Sequence, residues 1–101
     1  MDLSIILPTY NEKKNISIIV PQLEAMCKKH KISCEILVVD DSSPDGTAEE
    51  AKRQNKKYKN VRAIVRPEKQ GIGAALHQGY DFAKGDLILS MDSDLSLDNE
   101  D

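Results

Sequence analysis

Four short β-type runs alternate with three helix-type segments along this chain of 101 residues, and that alternation leaves few folds open to it. The first run, Leu3-Ser4-Ile5-Ile6-Leu7, is mostly apolar and stops at Pro8. From about Lys14 to Lys29, apolar residues Ile16, Ile19, Val20, Leu23 and Met26 keep the three-and-four spacing of one helix face. Pro21 falls inside that pattern and predicts a kink or a split. Glu35 to Val39 reads as a second strand, ending in Asp40-Asp41. Ser43 as N-cap and Pro44 at the first helical position then predict a helix to about Lys57. Val61 to Val65 is a third strand, stopped by Pro67. Gly71 to Lys84 reads as a third helix with Gly85 as its stop, and Asp86 to Met91 as the fourth strand.

Alternation at this spacing argues for βαβ units, with a parallel sheet between helical layers in an α/β/α arrangement. Right-handed crossovers put every strand's C-terminal end on one edge, where open sheets of this type bind ligands. The polar segments Pro8–Glu12, Asp40–Ser43 and Asp92–Ser96 all follow strands, so all three are expected on that edge. Asp92 and Asp94 are two residues apart after an apolar run, and residues i and i+2 of a strand share a face. Converging carboxylates repel unless a proton or cation relieves them. A hard divalent cation with oxygen ligands does so and can also hold phosphate oxygens. Taken alone, Asp40-Asp41 is equally a polar strand end, and Glu12 a first-turn helix acid.

Composition removes several other classes. With 40% apolar and 31% charged residues and a net charge of −3, the chain reads as one globular domain spanning 1–101. No run of Lys or Arg exceeds two residues, and Lys52 to Lys57 suits the C-terminal end of a helix, so nucleic acid is not an expected partner. No stretch is long enough to span a bilayer, and Leu3 to Leu7 lacks the flank and length of a signal peptide. Cys27 and Cys34 lack metal-type spacing and read as reduced, partly buried thiols of a cytoplasmic protein. Gly71 and Gly73 open a helix after a strand, but Leu76 stands where a dinucleotide fingerprint needs its third glycine. Tight-turn packing and close approach of a ligand explain Gly71 equally well. His77 has no second histidine nearby, and no serine has the partner pattern of a nucleophile.

Four ordered motifs resemble family 2 glycosyltransferases: Ile6 to Glu12, Val38 to Thr47, Gly71 to Asp86, and Met91 to Asp94. The run Asp41-Ser42-Ser43-Pro44-Asp45-Gly46-Thr47, with Gly71-Ile72-Gly73-Ala74-Ala75, is most similar to the dolichol-phosphate mannose synthase branch. The resemblance implies a Rossmann-like sheet of the GT-A type, an inverting mechanism and a nucleotide-diphospho-sugar donor such as a GDP- or UDP-hexose. It implies that Pro8, Tyr10 and Glu12 line the pocket for base and ribose, that Val39 and Asp41 contact the base, and that Asp40 and Gly71 belong to the same pocket. It further implies that Asp92 and Asp94 hold Mg2+ or Mn2+ against the donor diphosphate. Ser96 is a further candidate ligand, standing where the mannose synthases often carry a Gln.

The transferred sugar is expected to be mannose or glucose, and the acceptor a polyprenyl (dolichyl) phosphate at the cytoplasmic face of a membrane. Catalytic domains of this family continue past the last motif into an acceptor-binding half. Donor binding is therefore the expectation for these residues, which correspond to a truncated GT-A fold, and an uncovered sheet edge makes a homodimer a candidate assembly. Two other readings compete. One is a non-catalytic nucleotide-sugar-binding module. The other is a response-regulator receiver whose acidic pair is Asp40-Asp41, although a complete βα unit precedes its would-be first strand.

Overall fold

A computed structural model describes residues 1–66, 77 and 79–91. Strands β1 (Leu3–Thr9), β2 (Cys34–Asp40), β3 (Val61–Val65) and β4 (Leu87–Ser90) are joined in chain order with helices α1 (Lys13–Lys29) and α2 (Thr47–Tyr58). They form one parallel sheet of order β3-β2-β1-β4. The chain steps outward from β1 through β2 to β3, then returns to the other side of β1. The strand order therefore reverses beside β1, and the crevice at the carboxyl ends of β1 and β4 is the place where such sheets bind ligands.

Period-two alternation sorts the sheet's two faces. Leu3, Ile5 and Leu7 of β1 join Cys34, Ile36 and Val38 of β2 against Ile16, Ile19, Val20, Leu23 and Cys27 of α1 and Ala51 of α2. On the opposite face Ile6, Leu37 and Val39 form a second cluster with Ile64 and Ala83. Helical backbone at 79–82 covers that face so closely that a Cβ on Gly79 would lie 2.6 Å from Ile6 Cγ2. The α/β/α layering is thus present among the described residues.

Several expected boundaries move, each for a physical reason. Strand β1 continues through Pro8 to Thr9. The Ile6 carbonyl accepts from Met91 N–H, which puts the polar groups of even-numbered β1 residues on the β4 side. The last β4 residue, Ser90, pairs with Ile6, so the N–H that Pro8 lacks has no ladder partner there to lose. Helix α1 is one element through Pro21 rather than two. Burial of its stripe of Ile16, Ile19, Val20, Leu23 and Cys27 outweighs a local penalty of about 3 kcal/mol.

The third helix ends at Phe82, short of Lys84, and Gly85 is not its stop. Gly85 is small because it lies against β1: a Cβ there would be 2.6 Å from Leu3 C and Ser4 N. Its N–H donates to Ser4 Oγ (2.7 Å), and Ser4 donates to the buried Glu35 (2.5 Å). Glu35 also accepts from Lys84 N–H (2.6 Å) and faces Arg62 at 3.6 Å. The predicted start of that helix, at Gly71, lies outside the described residues.

Both cysteines are free and buried. Burial first, and then the neighbouring Cys27 thiol, push Cys34 up to about 12, so it stays a thiol at neutral pH. No helix among the described residues is long and apolar enough to cross a membrane.

Candidate functional site

At the carboxyl edge, β1 runs out into Tyr10-Asn11-Glu12 and β2 into Asp41-Ser42-Ser43. The sequence expects Pro8, Tyr10, Glu12, Val39, Asp40 and Asp41 to share a site, and the structure brings these two strand ends side by side. Pro8 pairs with Val39 and Thr9 with Asp40 in register. Alternation puts Pro8 and Val39 on the face opposite α1 and α2. Val39 is fully buried there, with Leu37 and Ile6, as an apolar floor. Tyr10 stands at the rim, 39% exposed. The Glu12 carboxylate accepts from Asn15 Nδ2 at 2.7 Å, so it is steered toward the first turn of α1.

The two adjacent acids part company. Asp40 is 1% exposed and its carboxylate is turned inward. Oδ1 accepts from the Thr9 hydroxyl (2.8 Å) and the Ser43 hydroxyl (2.6 Å), and Oδ2 from Ser43 N–H (2.9 Å). Asp40 therefore holds the two strand ends together. Asp41 is turned the other way, its N–H donating to the Thr9 carbonyl (3.1 Å) and its Oδ1 lying 3.3 Å from Arg66 Nε. Arg66, at the end of β3, was not singled out by the sequence. Its only signal there is a cation directly after an apolar run.

The segment 43–47 is a clamp. Three successive N–H groups, those of Asn11, Glu12 and Lys13, donate to Ser43 Oγ (2.7 Å), Thr47 Oγ1 (3.0 Å) and Asp45 Oδ2 (3.1 Å). Asp45 Oδ1 also accepts from the hydroxyl and N–H of Thr47, so one carboxylate serves the first residue of both α1 and α2. This fits α2 beginning at Thr47 and not at Pro44: Ser43 Oγ, the acceptor a cap would offer to a helix N–H, accepts instead from Asn11 N–H. Gly46 precedes α2 at φ +91, a conformation open to glycine. Asn11 and Ser42 are also left-handed, at φ 57 and 55, so both loops of this edge carry constrained backbone. With these N–H groups taken by side chains, the chain leading into α1 does not present them as a phosphate cradle.

Burial alone would push Asp45 up, but the bonds from the Thr47 hydroxyl and from the Lys13 and Thr47 N–H groups outweigh it and hold its carboxyl below the usual value. A depressed carboxylate contributes stability that is present above its unfolded value and lost as pH falls through the folded one. Asp45→Asn is expected to cost about 1 kcal/mol at neutral pH, a capping-sized loss. The gap to wild type should shrink as pH falls below about 4. Urea midpoints across that range check both statements.

Among the described residues no group of three or more His, Cys, Asp or Glu is arranged to hold a metal ion. The expected ligands Asp92, Asp94 and Ser96, with Gly71, lie outside the described residues. Described strand β4 leads to Met91, whose N–H donates to Ile6 beside Pro8, so the chain reaches the crevice as that motif begins. A separate open cleft of about 300 Å³, lined by Pro21, Glu24, Ala25, Lys28 and Tyr58, lies at the other end of the molecule. There burial pushes Glu24 up, partly offset by the bond from Asn60.

The sequence profile of glycosyl transferase family 2 matches residues 4–101. The chain belongs to that family. A dolichol-phosphate mannosyltransferase from Pyrococcus furiosus is 38% identical over 94% of the chain and 26% of its own length. One from Saccharomyces cerevisiae is 38% identical over 94% of the chain and 36% of its own length. The chain thus spans about a quarter to a third of these relatives.

Among solved structures, a mannosyl-3-phosphoglycerate synthase from Rubrobacter xylanophilus superposes with a TM-score of 0.80, at 26% identity, over 93% of this chain and 31% of that one. A mannosyltransferase from Pyrobaculum calidifontis, in complex with GDP-Man and Mn2+, superposes at 0.70 with 26% identity, over 91% of this chain and 27% of that one. The fold is of the GT-A type, and its neighbours are glycosyltransferases. Membership of this family overturns the receiver reading of Asp40-Asp41. In agreement, the strand carrying that pair is the second in the chain.

Proposed function

We propose that this chain forms the nucleotide-sugar-binding part of an inverting, metal-dependent hexosyltransferase whose acceptor is a polyprenyl phosphate. The observation that carries the reading is the reversal of strand order beside β1, with Pro8, Tyr10, Glu12, Val39 and Asp41 at the carboxyl edge next to it. An apolar floor at Val39, a rim aromatic at Tyr10 and an acceptor group at Asp41 suit a nucleobase with its ribose. Asp40 serves the same pocket by fixing its two strand ends.

Asp92 and Asp94 supply the hard oxygen donors that Mg2+ or Mn2+ takes, with Ser96 as an added oxygen. A divalent cation held there supplies Lewis-acid stabilisation to the departing nucleoside diphosphate. The N–H groups of the α1 entrance are occupied and offer the diphosphate no cradle, and Gly71 allows its close approach. A phosphate acceptor is already anionic, so its attack on the sugar needs no strong general base from this chain. The relatives named as dolichol-phosphate mannosyltransferases support mannose and a polyprenyl phosphate acceptor, and we place such an acceptor at the cytoplasmic face of a membrane. Self-association would use the β4 edge, where Leu87, Ile88 and Leu89 are exposed.

Manganese with GDP or UDP should raise the melting temperature, because a ligand at about a hundred times its dissociation constant stabilises the native state by about 2.7 kcal/mol. Asp94→Ala should remove the metal-dependent part of the shift. No shift with either nucleotide at millimolar concentration in the presence of manganese contradicts the reading.

A further inference from the structure

Strand β4 leads through Met91 to Asp92 and Asp94, yet its own side chains do little to fix its place. All four of its residues are exposed, whereas every residue of its neighbour β1 except Pro8 is buried. A strand whose burial favours neither face has a weakly specified register. The register is nevertheless defined, with Leu3 opposite Leu87 and Ile6 opposite Ser90. What defines it lies just before the strand. Lys84 N–H donates to Glu35 Oε2 (2.6 Å), and Gly85 N–H donates to Ser4 Oγ (2.7 Å). The Ser4 hydroxyl donates in turn to the same Glu35 oxygen (2.5 Å). Glu35 is 3% exposed, so one buried carboxyl group ties the entrance of β4 to β1 and β2. Its other oxygen faces Arg62 of β3 at 3.6 Å, and that guanidinium lies 5.6 Å from the Phe82 ring. The fit is steric as well as polar. Gly85 meets Leu3 C and Ser4 N so closely that no Cβ can be placed there. Sliding the segment by one residue in either direction would bring Lys84 or Asp86 to that contact, and both carry a Cβ.

We propose that Glu35, acting through Ser4 and Gly85, is a positioning residue: it sets the register of β4, and with it the face and height at which Asp92 and Asp94 leave the strand. The proposal rests on the reading that those two acids hold the divalent cation. A one-residue slip turns both to the other face of the sheet and moves them about 3.3 Å along it. Metal–ligand distances tolerate only about 0.2 Å, so a slipped strand no longer offers the pair at the crevice. Glu35 stands near the amino end of β2, away from the carboxyl edge, and its effect passes entirely through β4.

The test joins a register readout to a binding readout in wild type, Glu35→Leu and Glu35→Gln. In wild type, nuclear Overhauser contacts should join Leu87 to Leu3 and Leu89 to Ile5. Mn2+ should tighten GDP or UDP binding at least about tenfold. Glu35→Leu removes the acceptor that Ser4 and Lys84 share, so those cross-strand contacts should be lost or re-paired. The manganese effect should then fall to within about threefold, while metal-free affinity stays within about twofold, because Tyr10, Val39 and Asp41 do not depend on β4. Glu35→Gln keeps an oxygen for both donors, so both readouts should return toward wild type. A general loss of stability would not separate metal-dependent from metal-free binding in this way. Should Glu35→Leu fail to fold, Ser4→Ala carries the same test, since it removes the Gly85 acceptor and the bond to Glu35 together.

A folded Glu35→Leu that keeps the wild-type cross-strand contacts, or keeps its manganese effect, overturns the proposal. Failure of the underlying reading looks different: manganese then leaves nucleotide binding unchanged in wild type, and the cross-strand contacts still decide whether Glu35 sets the register.

Discussion

Replacing Asp40 by alanine is expected to cost about 3 kcal/mol of folding stability, read as a lower denaturant midpoint at unchanged slope. The carboxylate is buried and accepts three hydrogen bonds, from Thr9, from the Ser43 hydroxyl and from Ser43 N–H. Alanine leaves all three donors facing a space that offers nothing in return, and a buried donor without a partner costs about 1–3 kcal/mol. Some of that is recovered because the strand end lies close to solvent. Asp40→Asn keeps one oxygen but presents an amide where Ser43 N–H donates, so its loss should be about half as large. The damage also reaches the site. Ser43 freed from Asp40 no longer holds Asn11 in place, so nucleotide binding should weaken under conditions where the variant is still folded. A loss below about 0.5 kcal/mol for Asp40→Ala, the size of an ordinary surface change, contradicts this role.

Gly85→Ala should be destabilising to a similar degree, about 3 kcal/mol, because the new Cβ meets backbone rather than side chain. The atoms at 2.6 Å are Leu3 C and Ser4 N, in the strand at the middle of the fold, and Ser4 Oγ follows at 2.8 Å. Moving Ser4 also disturbs its bond to Glu35 and, through Glu35, the tie to Lys84 N–H. Gly79→Ala is the control. Its Cβ would be equally close to Ile6 Cγ2, but the strain then falls on one buried side chain and not on the β1 backbone. Alanine's better helix propensity returns up to about 1 kcal/mol at that position. The order of melting temperatures should be wild type, then Gly79→Ala, then Gly85→Ala. The reverse order would mean that the segment after the third helix does not pack on β1 as described.

The elements were legible because each is a local pattern: the apolar stripe from Ile16 to Leu23 and the runs Leu3–Leu7 and Glu35–Val39. Met26, read into the same stripe, is instead 41% exposed, and Gly85, read as a helix stop, is small because it lies against β1. What was not legible depends on partners far away in sequence. Pro8 fits inside β1 only because β4 ends one step earlier, opposite Ile6. Ser43 looks like a helix cap until its hydroxyl is found on Asp40 and on Asn11 N–H, the latter 32 residues away.

The same holds for the site. Strand-end placement of Pro8–Glu12 and Asp40-Asp41 followed from the βαβ rule. The different tasks of Asp40 and Asp41 did not, because adjacent strand residues point to opposite faces and only the fold shows which face holds Thr9 and which holds Arg66. The resemblance assigned Pro8, Tyr10, Glu12, Val39 and Asp41 to one pocket, and the structure adds the clamp of Ser43, Asp45 and Thr47 that holds its two loops together.

The most direct test of the account is where a nucleotide diphosphate binds. Amide shifts of the ¹⁵N-labelled chain, followed while GDP or UDP is added with Mg2+ and then with a trace of Mn2+, report this residue by residue. The account predicts shift changes confined to Tyr10–Glu12, Val39–Ser43, the neighbourhood of Gly71, and Met91–Ser96, with manganese broadening strongest at Asp92–Asp94. Changes centred instead on the cleft of Pro21, Glu24 and Tyr58, or no change at millimolar nucleotide, would contradict it.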